Sequence, residues 1–101
     1  MKLDVITIGT ATRDAFVKSK EFKRKSSSMF LSGESLCLPL GEKIDVEDII
    51  FATGGGATNA AVTFSRQGLN SACVCKIGNY VSGKEVLQNL KKEGVATNFV
   101  I

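Results

Sequence analysis

Thr53-Gly54-Gly55-Gly56-Ala57-Thr58-Asn59-Ala60-Ala61-Val62 runs three successive glycines straight into a sequence that suits a helix. Lacking a Cβ, Gly55 and Gly56 take positive φ at little cost and let another molecule approach the main chain. A helix that starts near Ala57 or Thr58 would turn its unpaired N–H groups and positive dipole end toward whatever lies over the glycines. Asn59 then falls in the first turn. A tight strand-to-helix turn also uses glycines, but three in a row exceed what a turn needs.

Working outward, Ala57, Ala60, Ala61 and Phe64 recur at i, i+3, i+4 and i+7, and Gly68 is placed to stop the helix after Gln67. Upstream, residues 3–8 form a short β-branched apolar run closed by Gly9, as expected of a buried strand in a covered sheet. Downstream, residues 71–77 read as a second buried strand and residues 83–93 as a second helix, with Val86, Leu87 and Leu90 inward and Gly94 at its end. Ser82 and Glu85 have the spacing of a capping box for that helix. Residues 95–101 begin another strand. This alternation predicts an α/β fold whose parallel sheet carries helices on both faces. Between residues 15 and 51 the pattern breaks into polar stretches, a single Pro39 and short apolar pieces: Met29-Phe30-Leu31, Leu36-Cys37-Leu38 and Ile49-Ile50-Phe51. These are expected to be short strands separate from the main sheet.

Composition removes several function classes. A chain of 101 residues, 44% hydrophobic and 23% charged, fits one soluble globular domain. The net charge of +3 is too small to call for nucleic acid or an anionic membrane. Its one basic cluster, Lys18, Lys20, Lys23, Arg24 and Lys25 around Glu21, reads as a solvated loop running into Ser26-Ser27-Ser28. Cys37, Cys73 and Cys75 are odd in number and the chain has no histidine, so no metal site is expected. Cys73 and Cys75 share one face of a strand and are expected to fill core volume. Without a disulfide framework or signal sequence the chain suits the reducing cytoplasm, and no run approaches the ~20 apolar residues of a membrane span.

Two nucleotide motifs are approached and missed. Gly78-Asn79-Tyr80-Val81-Ser82-Gly83-Lys84-Glu85 has the frame of a phosphate-binding loop, but Glu85 stands where a magnesium-holding hydroxyl belongs. Gly54-x-Gly56-x-x-Asn59 lacks the third glycine of a dinucleotide fingerprint, and Gly78-Asn79 lacks its ribose-gripping acid.

The combination Asp4-Val5-Ile6-Thr7-Ile8-Gly9, Asp14, Gly54-Gly55-Gly56-Ala57-Thr58-Asn59-Ala60-Ala61, Gly68, Gly78 and Gly83 closely resembles the N-terminal part of the ribokinase-like (PfkB) carbohydrate kinases. The resemblance runs the length of the chain. It implies a ribokinase-like α/β fold in which residues 15–53 form a β-lid that closes over the sugar and often mediates dimerisation. It also implies that Asp14, Gly54, Gly55, Gly56 and Asn59 bind the sugar. Two positions depart from the pattern: Gly56, where some members have a lysine, and Asn79, where an acidic residue is usual. The family's D-T-x-G-A-G-D motif, with its catalytic base, and its ATP-binding segments belong to a C-terminal region outside this sequence.

The expectation is therefore a fragment: the acceptor side of a sugar or nucleoside kinase, covering roughly its first third. ATP and magnesium would serve the full-length enzyme and would not bind this chain alone. A non-catalytic small-molecule-binding or assembly module is the alternative. An open sheet edge or the lid would make a homo-oligomer.

Overall fold

The computed structural model describes residues 2–101, so Met1 of the N-terminal stretch lies outside the described residues. In chain order the elements are β1 (Val5–Ile8), β2 (Thr12–Lys18), β3 (Lys23–Ser26), β4 (Glu34–Cys37), β5 (Asp48–Gly54), α1 (Gly56–Arg66), β6 (Ser71–Val74) and α2 (Val81–Lys92). They form two compact units: Ala15–Ile50 is one, and the residues up to Asp14 and from Phe51 onward are the other.

In the larger unit β1 pairs in parallel with β6, with Thr7 opposite Cys73, as the crossover reading requires. The core is built from small residues. Ala57 and Ala61 of α1 meet Cys73 and Cys75, and Val86 and Leu90 of α2 close the cluster with Val95. Small side chains let α1 lie close enough for Thr7 Oγ1 to donate to Ala57 C=O at 2.8 Å and Ser71 Oγ to Ala61 C=O at 2.8 Å. The expected core role of Cys73 and Cys75 is thus met.

The expected cover on both faces is not. Both helices feed the one cluster, while Ile6 and Ile8 alternate to the other face and are 48% and 79% exposed. A near-continuous apolar strand is the pattern of a sheet covered on both faces, and here the face of Ile6 and Ile8 is left in water. The last strand is also shorter than expected. Ala96 bridges Ala72 and Ile101 bonds to Cys75 and Ile77, but a turn from Thr97 to Val100 breaks the ladder between them.

Both helices end as their glycines require. Gly68 and Gly94 have φ of 89° and 76°, and each sits where 6→1 and 5→2 bonds close the last turn: Leu69 N–H to Phe64 C=O, and Val95 N–H to Leu90 C=O. The start of α2 corrects the capping-box reading. The helix begins at Val81 with Tyr80 as N-cap and no side-chain cap, so Ser82 lies inside the first turn and Glu85 is drawn instead to Arg13. Gly83 matters for packing there: a Cβ would overlap the carbonyl oxygen of Gly78.

The smaller unit has no buried residue, and hydrogen bonds hold it. β3 and β4 pair antiparallel, Lys23 opposite Cys37, with Arg24 bonded to Glu34 at 2.5 Å. Part of the basic stretch read as a solvated loop is therefore a strand. Its side chains are all exposed, so no period-two apolar signal marks it. Met29-Phe30-Leu31, expected as a strand, lies in the hairpin turn, closed by Ser27 N–H to Gly33 C=O and Gly33 N–H to Phe30 C=O, both at 2.9 Å. Ile49, Ile50 and Phe51 do lie in a strand, β5, which pairs with β2.

These contacts separate two substitutions. Gly83→Ala should destabilise the larger unit by about 1–3 kcal/mol through overpacking, whereas Ser82→Ala, which removes no cap, should stay within about 0.5 kcal/mol. Urea unfolding at one fixed protein concentration measures both. A larger loss for Ser82→Ala would restore the capping box.

Candidate functional site

The site is assembled where the turn after β1, the start of β2 and the glycine run meet. Thr10 caps the helix from outside it. Its Oγ1 accepts from Gly56 N–H at 3.1 Å and its carbonyl from Ala57 N–H at 3.2 Å. Two amides expected to face a ligand are therefore already bonded to the protein. Gly55 is the N-cap, with φ of 101°, and a Cβ there would come 2.5 Å from the Thr10 carbonyl oxygen. Only glycine suits both the torsion and the space. Buried Thr58 fastens the junction by donating to the carbonyls of Gly54 and, at 3.1 Å, Gly55.

Asp14 lies inside β2, half-buried, its Oδ1 accepting from Thr12 Oγ1 at 2.9 Å. Its other carboxylate oxygen occupies the place where a Cβ on Gly54 would stand, and Thr12 Oγ1 is 2.8 Å from that place. The structure thus brings Asp14 and Gly54 together. Gly56 is exposed, and a Cβ on it would meet nothing nearer than 4.0 Å.

Asn59 is exposed in the first turn, as expected, its N–H bonded to Gly55 C=O at 3.0 Å. It opens on a cleft of about 450 Å³ lined also by Phe51, Thr58, Thr63, Arg66 and Glu93; Asp14 is not in that lining. Arg66 grips Glu93 with two bonds, 2.8 and 2.6 Å. The hydrogen bond to Arg66 holds the Glu93 carboxyl below the usual range, and the same bond raises the Arg66 guanidinium. The sequence reading passed over Thr10, Thr12, Arg13 and this pair. The run Gly9-Thr10-Ala11-Thr12, two hydroxyls after a strand-ending glycine, was the available signal for the first two.

A second depression, about 270 Å³, lies among Thr12, Arg13, Lys76, Gly78, Tyr80 and Ser82. The near-phosphate loop beside it is closed. The Tyr80 ring occupies the space beside the Gly78 α-carbon, Gly83 packs on the Gly78 carbonyl, and Glu85 is engaged by Arg13. The loop thus departs from a phosphate-binding loop in its packing and in having Glu85, not a hydroxyl, after Lys84. Among the described residues no group of three or more His, Cys, Asp or Glu side chains converges, and no helix is long and apolar enough to cross a membrane. Burial, and then the neighbouring Cys73, pushes the Cys75 thiol up to about 11, which keeps it neutral in the core.

A model of the pfkB family carbohydrate kinases matches residues 4–101. Mouse ribokinase is 36% identical over 59 residues, 58% of this chain and 18% of that protein. Similar solved structures include a PfkB protein from a Polaromonas species (TM-score 0.70, 24% identity, 99% of this chain and 27% of that one). A putative sugar kinase from Clostridium perfringens has a TM-score of 0.72 at 22% identity over the same shares, 99% and 27%. Arabidopsis thaliana ribokinase, solved with ribose and ATP, has a TM-score of 0.70 at 17% identity, covering 99% of this chain and 28% of that one. These likenesses establish a ribokinase-like fold, and the chain spans under a third of each solved structure.

Glu93 gives a pH dependence of definite sign. Its folded value lies below the ~4.3 of an unfolded glutamate, so its bond to Arg66 stabilises the fold above that value. The contribution disappears as pH falls through the folded value. Thermal melts taken from about pH 7 down to pH 2 should show a shallower acid loss for Glu93→Gln than for the parent chain. Identical acid limbs would remove the pair from the stability account.

Proposed function

Because the chain belongs to the pfkB family of carbohydrate kinases, we propose that it supplies the acceptor-binding part of an enzyme that transfers the γ-phosphate of ATP to a hydroxyl of a sugar or nucleoside. The supporting observation is the Asp14 carboxylate seated on the α-carbon of Gly54. A carboxylate accepts from two hydroxyls, and the exposed amide of Asn59 both donates and accepts, which suits a polyol. Of the three glycines, exposed Gly56 offers open main chain to the same ligand, while Gly54 and Gly55 make room for Asp14 and Thr10. Residues 15–53 act as the lid.

In this reading ATP and magnesium bind residues of the complete enzyme beyond this chain, which contributes binding and orientation of the acceptor hydroxyl. The cytoplasm is the proposed compartment, and neither nucleic acid nor a membrane is a proposed partner.

The second reading is a non-catalytic binding or assembly module, and under either reading apolar surface is left to cover. No residue from 15 to 50 is buried, and Met29, Leu31 and Leu40 are 85%, 111% and 100% exposed. That much apolar surface calls for a covering partner, and we assign a second copy meeting through the lid or the open sheet edge.

Calorimetric titration with D-ribose, D-fructose and adenosine tests the first reading. Asp14→Ala should weaken the binding of whichever probe is held by about ten- to a hundredfold, the worth of one charged hydrogen bond. Unchanged affinity would remove Asp14 from the site. Incubated with ATP and magnesium, the 101-residue chain should show no turnover; turnover lost in Asp14→Ala would overturn the partial-enzyme reading. Sedimentation across a wide concentration range should show self-association, and a concentration-independent monomer would remove the proposed assembly.

A further inference from the structure

Arg13 precedes Asp14 in β2, so the two side chains leave the strand on opposite faces. The contacts follow that alternation. Thr12 and Asp14 lie together against Gly54, while Arg13 turns the other way. There its guanidinium carbon stands 3.8 Å from the centre of the Phe51 ring, and its Nε donates to Glu85 Oε2. Phe51 belongs to β5, three residues before Gly54, and Glu85 to the first turns of α2. One side chain therefore ties the start of β2 both to the strand that carries the glycine run and to the helix behind it.

We propose that Arg13 is the positioning residue for the Asp14 carboxylate, and so sets the affinity of the acceptor site without touching the ligand. The proposal rests on the sugar-site reading given under Proposed function. Asp14 has one side-chain bond of its own, from neighbouring Thr12 on the same strand, which moves with the strand and cannot fix it. The β2 backbone is what decides how closely the carboxylate approaches Gly54. Arg13 pins that backbone from the opposite face with a group of fixed planar shape, which can stack on an aromatic ring and donate to a carboxylate at once. Its side chain is 26% exposed and that of Glu85 is 44% exposed, so the pair is worth little as a surface ion pair alone. Its value lies in geometry. Lysine keeps the charge but loses the flat surface that rests on Phe51.

The test uses the full chain. In Arg13→Ala the dissociation constant for the bound probe among D-ribose, D-fructose and adenosine should rise by about tenfold, as follows from a displacement on the ångström scale. Glu85→Gln, which keeps size and polarity, should give a smaller rise in the same direction. Arg13→Lys should recover part of the loss. A purely structural role would lower the melting temperature of these variants and leave affinity, measured well below melting, where it was. The Asp14 carboxyl carbon and Gly54 amide resonances supply an arm that needs no ligand. Both should shift in Arg13→Ala and Glu85→Gln and move back toward the parent in Arg13→Lys. Unmoved resonances, or parental affinity in Arg13→Ala while Asp14→Ala loses it, would overturn the role of Arg13. Parental affinity in Asp14→Ala, with the resonances still shifting in Arg13→Ala, would instead sink the sugar-site reading and leave Arg13 as the residue that positions Asp14.

Discussion

The side of Gly54 has no room for a Cβ because the Asp14 carboxylate is already there. This contact fixes where β2 lies against the end of β5, and with it where the chain must turn to enter α1. The turn then needs Gly55, whose φ of 101° and proximity to the Thr10 carbonyl exclude a side chain. Thr10 in turn takes the amides of Gly56 and Ala57, so the helix is capped by the loop that leaves β1. Each constraint leads to the next, from one carboxylate to the direction of α1 and so to the packing of Ala57 and Ala61 on Cys73.

A core made of alanines, cysteines and a few larger side chains is small for the surface it must support. The sheet face carrying Ile6 and Ile8 lies open, and residues 15–50 enclose nothing. Those apolar groups cost stability while they face water. This arrangement is expected of a piece that spans under a third of the solved structures it resembles.

What the sequence made legible follows from how local each cause is. Helix stops at Gly68 and Gly94 depend on one residue's torsion and were readable, as was the parallel pairing of β1 with β6 from its apolar runs. The capping box at Ser82 and Glu85 was misleading because Arg13, 72 residues away from Glu85, competes for the same carboxylate. β3 escaped notice because exposed strands carry no apolar alternation, and the expected double cover failed because both helices pack into one cluster, away from Ile6 and Ile8. In the site, the glycine run pointed to the place where main chain is approached. The first group found there is the protein's own Asp14, and only tertiary structure reveals that Thr10 uses two of the helix amides.

The claim on which this account turns is that Asp14, held against Gly54, receives hydroxyl groups of a small polyol. A crystal structure of the chain with a bound sugar or nucleoside tests it most directly. The account predicts a ligand hydroxyl within about 2.5–3.0 Å of an Asp14 carboxylate oxygen, with the ligand resting on the main chain at Gly55 and Gly56 and reaching the Asn59 amide. A ligand bound away from Asp14, with the carboxylate still bonded only to Thr12, would contradict it.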